Sequence, residues 1–285
     1  MKSKTAVRLR VGRIRYTNVL PFYHPNLSGS ESHGFETVEV NGSPTELNRK
    51  MREGEIDLAP ISSLEYLNHP NDYFLLPGLC IGSRDFSASV LLFSRERIEG
   101  LNGTEISLSE ESLSAAALLK ILLKFKFQFE NSFRVEKSDP LTMLSHSKAC
   151  LVIGDDALLF RPEEFIYKTD LSQLWWDWTG KPFCFSVWAV RRPYYEAHRP
   201  EVLGFYENLK NNLERNLGDL EKLLKEALGL TPADERFPAL FSYLFNLSYG
   251  LDPAMREGLE HFYKLAHRLG ISPEADQLEF IDGSV

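Results

Sequence analysis

The sequence contains little cysteine. Only three cysteines occur among 285 residues, and no two of them have the CxxC spacing of a metal site or a redox pair. Cys80, Cys150 and Cys184 also lack histidines at ligand spacing, so neither a disulfide framework nor a zinc site is indicated. We expect three buried free thiols and no bound metal.

The chain also lacks an excess of positive charge and long apolar runs. The formal net charge is -8, and the basic residues form no cluster that could follow a phosphate backbone. No segment reaches the roughly 20 apolar residues of a membrane span. Arginines interrupt the N-terminal stretch where a secretory signal needs an apolar core. We therefore expect a cytoplasmic protein with neither nucleic acid nor a membrane as its partner.

Several catalytic signatures are missing from the chain. It has no Walker loop, no GxGxxG, no GxSxG and no HExxH. These motifs supply a phosphate cradle, a nucleophile elbow or metal ligands, so the sequence does not indicate nucleotide, α/β-hydrolase or zinc-peptidase chemistry. The seven histidines are scattered along the chain. No cofactor is indicated.

What the sequence does contain is a regular alternation of short apolar runs and helical patterns between residues 7 and 190. This alternation predicts an α/β fold with largely parallel sheets. The helix predicted at 44–52 has the clearest start, because Ser43 can cap it, Pro44 suits the first turn and Glu46 completes a capping box. The predicted strands are 7–14, 35–40, 56–61, 89–94, 105–108, 149–154 and 183–190.

After Pro193 the pattern is helical only. Leucines recur there at spacings of three and four, which is typical of a buried helix face: Leu209, Leu213, Leu217, Leu220, Leu224 and Leu228. The length suits two lobes joined by two crossings, with residues 1–94 and 188–285 in one lobe and 95–187 in the other. A chain of this kind binds its ligand in the cleft between the lobes.

Small polar residues collect at five apparent strand ends. Helix N-termini carry unpaired N–H groups, so hydroxyls and amides collected there suit a carboxylate or a phosphate. Each serine could equally be an ordinary helix cap, and Asn18 an ordinary turn residue before Pro21. The pattern alone predicts only a small-anion site. The residues concerned are Asn18, Ser62, Ser63, Ser89, Ser112, Ser114, Gly154 and Asp155.

Seven stretches between about residues 11 and 192 resemble, in order, the chorismate dehydratase family. They include "GRIRYTNVLPFY" and "SEESLSAAALLKILL", and the most specific are "VIGDDALL" and "DLSQLWWDWTGKPFCFSVWAVRR". The resemblance implies a two-lobed, type II periplasmic-binding-protein-like α/β fold with a helical C-terminal segment. It also implies a cofactor-independent lyase of the futalosine route to menaquinone, which converts chorismate to 3-[(1-carboxyvinyl)oxy]benzoate and water.

The resemblance also implies roles for individual residues. Asn18 stands at the position regarded as central to catalysis in that family, and Ser89 and Ser114 stand at positions that line the ligand cleft, as does the backbone of residues 153–155, Ile153 included. The family commonly has Thr-Ser at the helix start, whereas this chain has Ser114 followed by Ala115. One hydroxyl contact is therefore absent, although the Ala115 N–H remains available.

Two other functions fit the same fold. One is an enzyme like 1,4-dihydroxy-6-naphthoate synthase, whose sequences lack the "GRIRYTN" and "DLSQLW" stretches found here. The other is a cytoplasmic protein that binds a small anion without turning it over, because a fold does not dictate a function. Incubation with chorismate separates all three.

Overall fold

The computed structural model describes residues 7–25, 27, 34–162, 166–275 and 277–282. Residues 1–6, which begin the N-terminal stretch considered above for a secretory signal, lie outside these ranges. The described chain forms two sheets with helices packed around them. A membrane-spanning helix is absent from the described ranges.

The first sheet has six strands in the order β11-β4-β10-β3-β1-β2. Every residue of its strand β3 is buried, and Leu9 and Val11 on one face of β1 are fully buried. The strands are β1 (Val7–Ile14), β2 (Phe35–Gly42), β3 (Leu58–Ser62), β4 (Tyr73–Ser83), β10 (Phe183–Arg191) and β11 (Leu247–Ser248).

The second sheet has five strands in the order β7-β6-β8-β5-β9. Every residue of its strand β5 is buried, so β5 forms part of the core. The strands are β5 (Val90–Ser94), β6 (Glu105–Ser109), β7 (Ser132–Glu136), β8 (Ala149–Ile153) and β9 (Tyr167–Asp170).

Both sheets are mixed, so the prediction of largely parallel sheets is wrong. In the first sheet β10 runs antiparallel between β3 and β4, and in the second β5 runs antiparallel between β8 and β9. Consecutive strands of one sheet are parallel when a helical crossover connects them. A strand that follows a strand of the other sheet has no such crossover within its own sheet, so it can run antiparallel to its neighbours. Both β5 and β10 are strands of this kind.

Sheet membership gives different borders from the predicted ones at 94 and 188. Residue 94 is the last of β5, which belongs to the second sheet, and residue 188 lies inside β10 of the first sheet. The crossings lie between Ser83 and Val90 and just before Phe183. An apolar run marks a buried strand but carries no sign of which sheet it joins, and this is why the borders were misplaced.

The helices bear out the strongest local signal. Helix α2 begins at Pro44, and both halves of the predicted capping box between Ser43 and Glu46 are present. The helices that precede β10 are α1 (Leu20–Tyr23), α2 (Pro44–Glu53), α3 (Ser63–Asn68), α4 (Ser114–Ile121), α5 (Pro140–His146), α6 (Gly154–Leu159) and α7 (Leu171–Thr179).

The C-terminal part is helical, as predicted. Within the leucine stripe Leu209, Leu220 and Leu224 are buried, but Leu217 and Leu228, each the last or nearly the last residue of its helix, are exposed. The helices are α8 (Arg192–Ala197), α9 (Arg199–Gly218), α10 (Leu220–Leu228), α11 (Phe237–Asn246) and α12 (Pro253–Arg268). One apolar core joins them to both sheets, and all three cysteines are buried and free.

Candidate functional site

A cavity lies where the strand ends of the two sheets face each other. Its walls include Ile14 at the end of β1, Phe185 of β10 and Val90 at the start of β5. The space between its walls, counted out to the solvent, is about 570 Å³. Of the predicted site residues, Asn18, Ser62, Ser89, Ser112, Ser114, Ala115, Ile153 and Gly154 line it.

Three serine hydroxyls connect the two lobes at one end of the cavity. Ser114, in the first turn of α4, lies 2.5 Å from the Ser62 hydroxyl and 3.0 Å from the Ser63 hydroxyl, and it accepts a hydrogen bond of 3.1 Å from the Leu64 N–H. Ser63 donates to the carbonyl of Cys184 at 2.8 Å. Ser63 is fully buried behind the wall and does not reach the cavity, contrary to its predicted role.

The proton positions in this cluster follow from its geometry. A serine has one proton to donate. Ser63 gives its proton to Cys184, so Ser114 must donate to Ser63, and Ser62 must donate to Ser114. Because Ser62 also lines the cavity, its proton is the one that can rotate toward a bound anion without breaking the rest of the chain of bonds.

Ser89 reaches the cavity from a loop that a buried carboxylate holds in place. Asp170 accepts hydrogen bonds from the N–H groups of Ser87 and Ala88, at 3.1 and 2.7 Å, and from the Ser87 hydroxyl. Ala88 has a φ of +59°, which is unusual for a residue with a side chain. The same carboxylate caps α7. Burial raises the pKa of Asp170, whereas these hydrogen bonds oppose that shift.

Gly154 lets a tyrosine ring approach the backbone at the wall of the cavity. Its φ is +67°, and a Cβ atom there would lie 2.6 Å from the ring of Tyr16. Its N–H donates to the carbonyl of Ser89 at 2.8 Å. The Gly154 N–H therefore already has a hydrogen-bond acceptor. This bond corrects the prediction that the N–H is available to a ligand.

Asp155 is not among the residues that line the cavity, contrary to its predicted role. Its carboxylate accepts from the N–H of Thr17 at 3.1 Å and from the Thr17 hydroxyl at 2.8 Å. Burial raises the pKa of Asp155, and the bonds from Thr17 oppose the shift. Since Thr17 follows β1 and Asp155 follows β8, this contact also joins the lobes.

The main cavity residue that sequence reasoning missed is Glu111. The hydroxyl of Tyr16 donates to its carboxylate, and Arg15 lies 2.6 Å from it and 3.6 Å from Asp156. Burial, followed by the bond to Glu111, raises the pKa of Tyr16. Glu111 belongs to the "SEES" stretch, in which the sequence indicates only a helix start and a role for Ser112. Its partner is 95 residues away, so no local pattern could identify it.

Three polar atoms near the cavity have no hydrogen-bond partner among the described residues. They are the Oδ1 atom of Asn18 and the hydroxyls of Ser112 and Tyr243. Asn18 and Ser112 line the cavity, whereas Tyr243 is fully buried in α11. Buried polar groups are usually bonded to protein, water or ligand. The two at the wall therefore suit a polar ligand.

The cavity can supply hydrogen bonds but little charge of its own. Its described lining contains no lysine, arginine or histidine, and Glu111 is its one carboxylate. An anion bound here would be stabilised by hydrogen bonds from hydroxyls and amides and by the N-terminus of α4, rather than by an ion pair. Among the described residues no three His, Cys, Asp or Glu side chains are placed to hold a metal ion.

The fold is that of the two-lobed, periplasmic-binding-protein-like α/β proteins. An Archaeoglobus fulgidus protein, AF1704, is similar with a TM-score of 0.67 at 18% identity, over 95% of this chain and all of that one. The alkanesulfonate-binding protein SsuA of Xanthomonas axonopodis pv. citri, bound to MOPS, has a TM-score of 0.64 at 15% identity, over 94% of each chain. At such identities the likeness concerns the fold alone.

Sequence similarity narrows the class to one family. Residues 9–268 match the family described as menaquinone biosynthesis. The chain is also 31% identical to the chorismate dehydratase of Thermus thermophilus over 281 residues, which is 92% of this chain and 95% of that one. The chain belongs to the menaquinone biosynthesis family.

Proposed function

We propose that this chain is a chorismate dehydratase, which converts chorismate to 3-[(1-carboxyvinyl)oxy]benzoate and water on the futalosine route to menaquinone. The observation that carries the proposal is the similarity to the Thermus thermophilus enzyme along nearly the whole of both chains. The alternative of a 1,4-dihydroxy-6-naphthoate synthase has no such support from the comparisons described above.

The reaction removes a proton from the ring carbon that bears the enolpyruvyl ether and a hydroxide from the neighbouring carbon. The product ring is aromatic, so the driving force is built into the substrate. Loss of the proton moves negative charge through a ring double bond toward the ring carboxylate. Hydrogen-bond donors that meet this charge stabilise the transition state more than the ground state.

The polar lining suits that demand. Ser62 can turn its hydroxyl proton from Ser114 toward a carboxylate, and Asn18, which follows a neighbouring strand of the same lobe, offers an amide. An amide is a poor base. The enolpyruvyl carboxylate of the substrate itself, which is tethered beside the proton, is the base in this proposal, because tethering raises its effective concentration.

The direct test is incubation of the purified chain with chorismate, followed by NMR of the product. The expected result is the enolpyruvyl benzoate with no metal, nucleotide or flavin added, and with unchanged activity after exhaustive chelation. Binding of chorismate without turnover would instead support an anion-binding protein. Activity that disappears on chelation and returns with a metal would contradict cofactor independence. Cytoplasmic location stays a prediction from the sequence.

A further inference from the structure

Tyr243 lies directly behind the part of the cavity wall that carries Asn18. It belongs to α11, which packs against the 3-10 turn Thr17–Val19. The side chain is fully buried, and its hydroxyl has no hydrogen-bond partner in the described part of the chain. Burial raises the pKa of Tyr243, while the nearby side chains of Ser89 and Asn18 oppose that shift. The hydroxyl is thus a neighbour of both.

The unpaired atoms in this cluster complement one another. A phenolic hydroxyl donates one hydrogen bond and accepts others, so it can hold an amide and a serine hydroxyl at the same time. Asn18 has an unpaired, buried Oδ1 atom, and Ser89 reaches the cavity from the second lobe. A buried hydroxyl that binds nothing costs free energy. Small rotations of these side chains would remove that cost.

We propose that Tyr243 is a positioning residue, which holds the Asn18 amide and the Ser89 hydroxyl in the orientation that the reaction needs. The inference rests on the dehydratase function proposed above. Tyr243 does not itself line the cavity. It acts through Asn18 and Ser89, and links the C-terminal helices to residues contributed by both lobes.

The test begins with Tyr243→Phe, which keeps the ring and removes the hydroxyl. We expect kcat to fall about tenfold, the scale of one hydrogen bond, with little change in KM. The matched control is Tyr249→Phe. Tyr249 is also a buried tyrosine whose hydroxyl has no partner in the described chain, but neither Asn18 nor Ser89 affects its pKa. Tyr249→Phe should keep wild-type kcat.

A double-mutant cycle separates positioning from a merely structural role. If Tyr243 acts through Asn18, Tyr243→Phe causes much less than a tenfold loss in the Asn18→Ala background. The same tenfold loss in both backgrounds, or no loss in the wild-type background, would overturn the inference while leaving the dehydratase function intact. A wild-type chain that does not dehydrate chorismate would overturn both. Thermal unfolding of each variant identifies losses caused by misfolding.

Discussion

Hydroxyl protons decide which serine of the cavity can bind an anion. Ser114 uses its proton on Ser63, whereas the Ser62 proton can turn toward a ligand. Ser62→Ala should therefore weaken product binding by roughly 1.5 to 3 kcal/mol, the scale of a hydrogen bond to a charged group. The control is Ser63→Ala, which removes a hydroxyl behind the wall and should affect stability rather than affinity. Calorimetric titration with product would refute this ranking if Ser63→Ala caused the larger loss.

Gly154 is a second position at which a single residue matters. Gly154→Ala combines a positive φ with a clash against Tyr16, so we expect a loss of about 3 kcal/mol or more in the free energy of unfolding. Gly180→Ala is the matched control. Its φ is +66° but nothing lies within 4 Å of a Cβ atom there, so the expected loss is about 1 to 2 kcal/mol. Equal losses in denaturant titrations would show that the approach of Tyr16 is unimportant.

At the scale of elements, one carboxylate supports both a helix and a loop. Asp170→Ala should remove the cap of α7 and leave two N–H groups of the Ser89 loop unbonded, costing about 3 kcal/mol or more and weakening product binding. Asp139 caps α5 with the same bond pattern and does not line the cavity. Asp139→Ala should cost only about 1 kcal/mol. Unfolding and product titrations of both variants check the difference, and unchanged binding in Asp170→Ala would contradict it.

The elements that the sequence predicted well are those with strong local signals. β1 and the capping box of α2 are examples, because alternating burial and helix caps are determined by neighbouring residues. The missed strands β7, β9 and β11 lie at sheet edges, where partial exposure weakens the apolar pattern. β4 is interior, but Pro77 and Gly78 interrupt its run, and its register with β10 is irregular. A strand interrupted in this way forms only because it pairs with neighbouring strands, and such pairing is not visible in the local sequence.

At the scale of the whole molecule, polar contacts join the lobes in addition to the shared apolar core. Tyr16 and Arg15 bind Glu111, Thr17 binds Asp155, and the Thr45 hydroxyl donates to a carbonyl of the second lobe. None of these could be predicted from sequence, because each joins residues at least 65 positions apart. The ordering of the lobes along the chain was predictable, whereas the partner of each polar residue was not.

Replacement of Arg15 tests whether the polar contacts between the lobes also bind the ligand. Arg15 is half exposed, so its pair with Glu111 contributes about 1 kcal/mol or less, and Arg15→Ala should change substrate affinity less than tenfold. Arg13→Ala is the control, since Arg13 pairs with Glu39 inside the first sheet. A loss beyond tenfold in Arg15→Ala alone, measured by titration with product, would mean that Arg15 reaches the ligand.

The central claim is that this cavity dehydrates chorismate with Asn18 as a transition-state hydrogen-bond partner. The most direct measurement compares product formation by the wild-type chain and Asn18→Ala at saturating chorismate. The account predicts product from the wild type and a loss of about a hundredfold or more in the variant, with normal folding and retained product binding. Wild-type turnover in Asn18→Ala would contradict it.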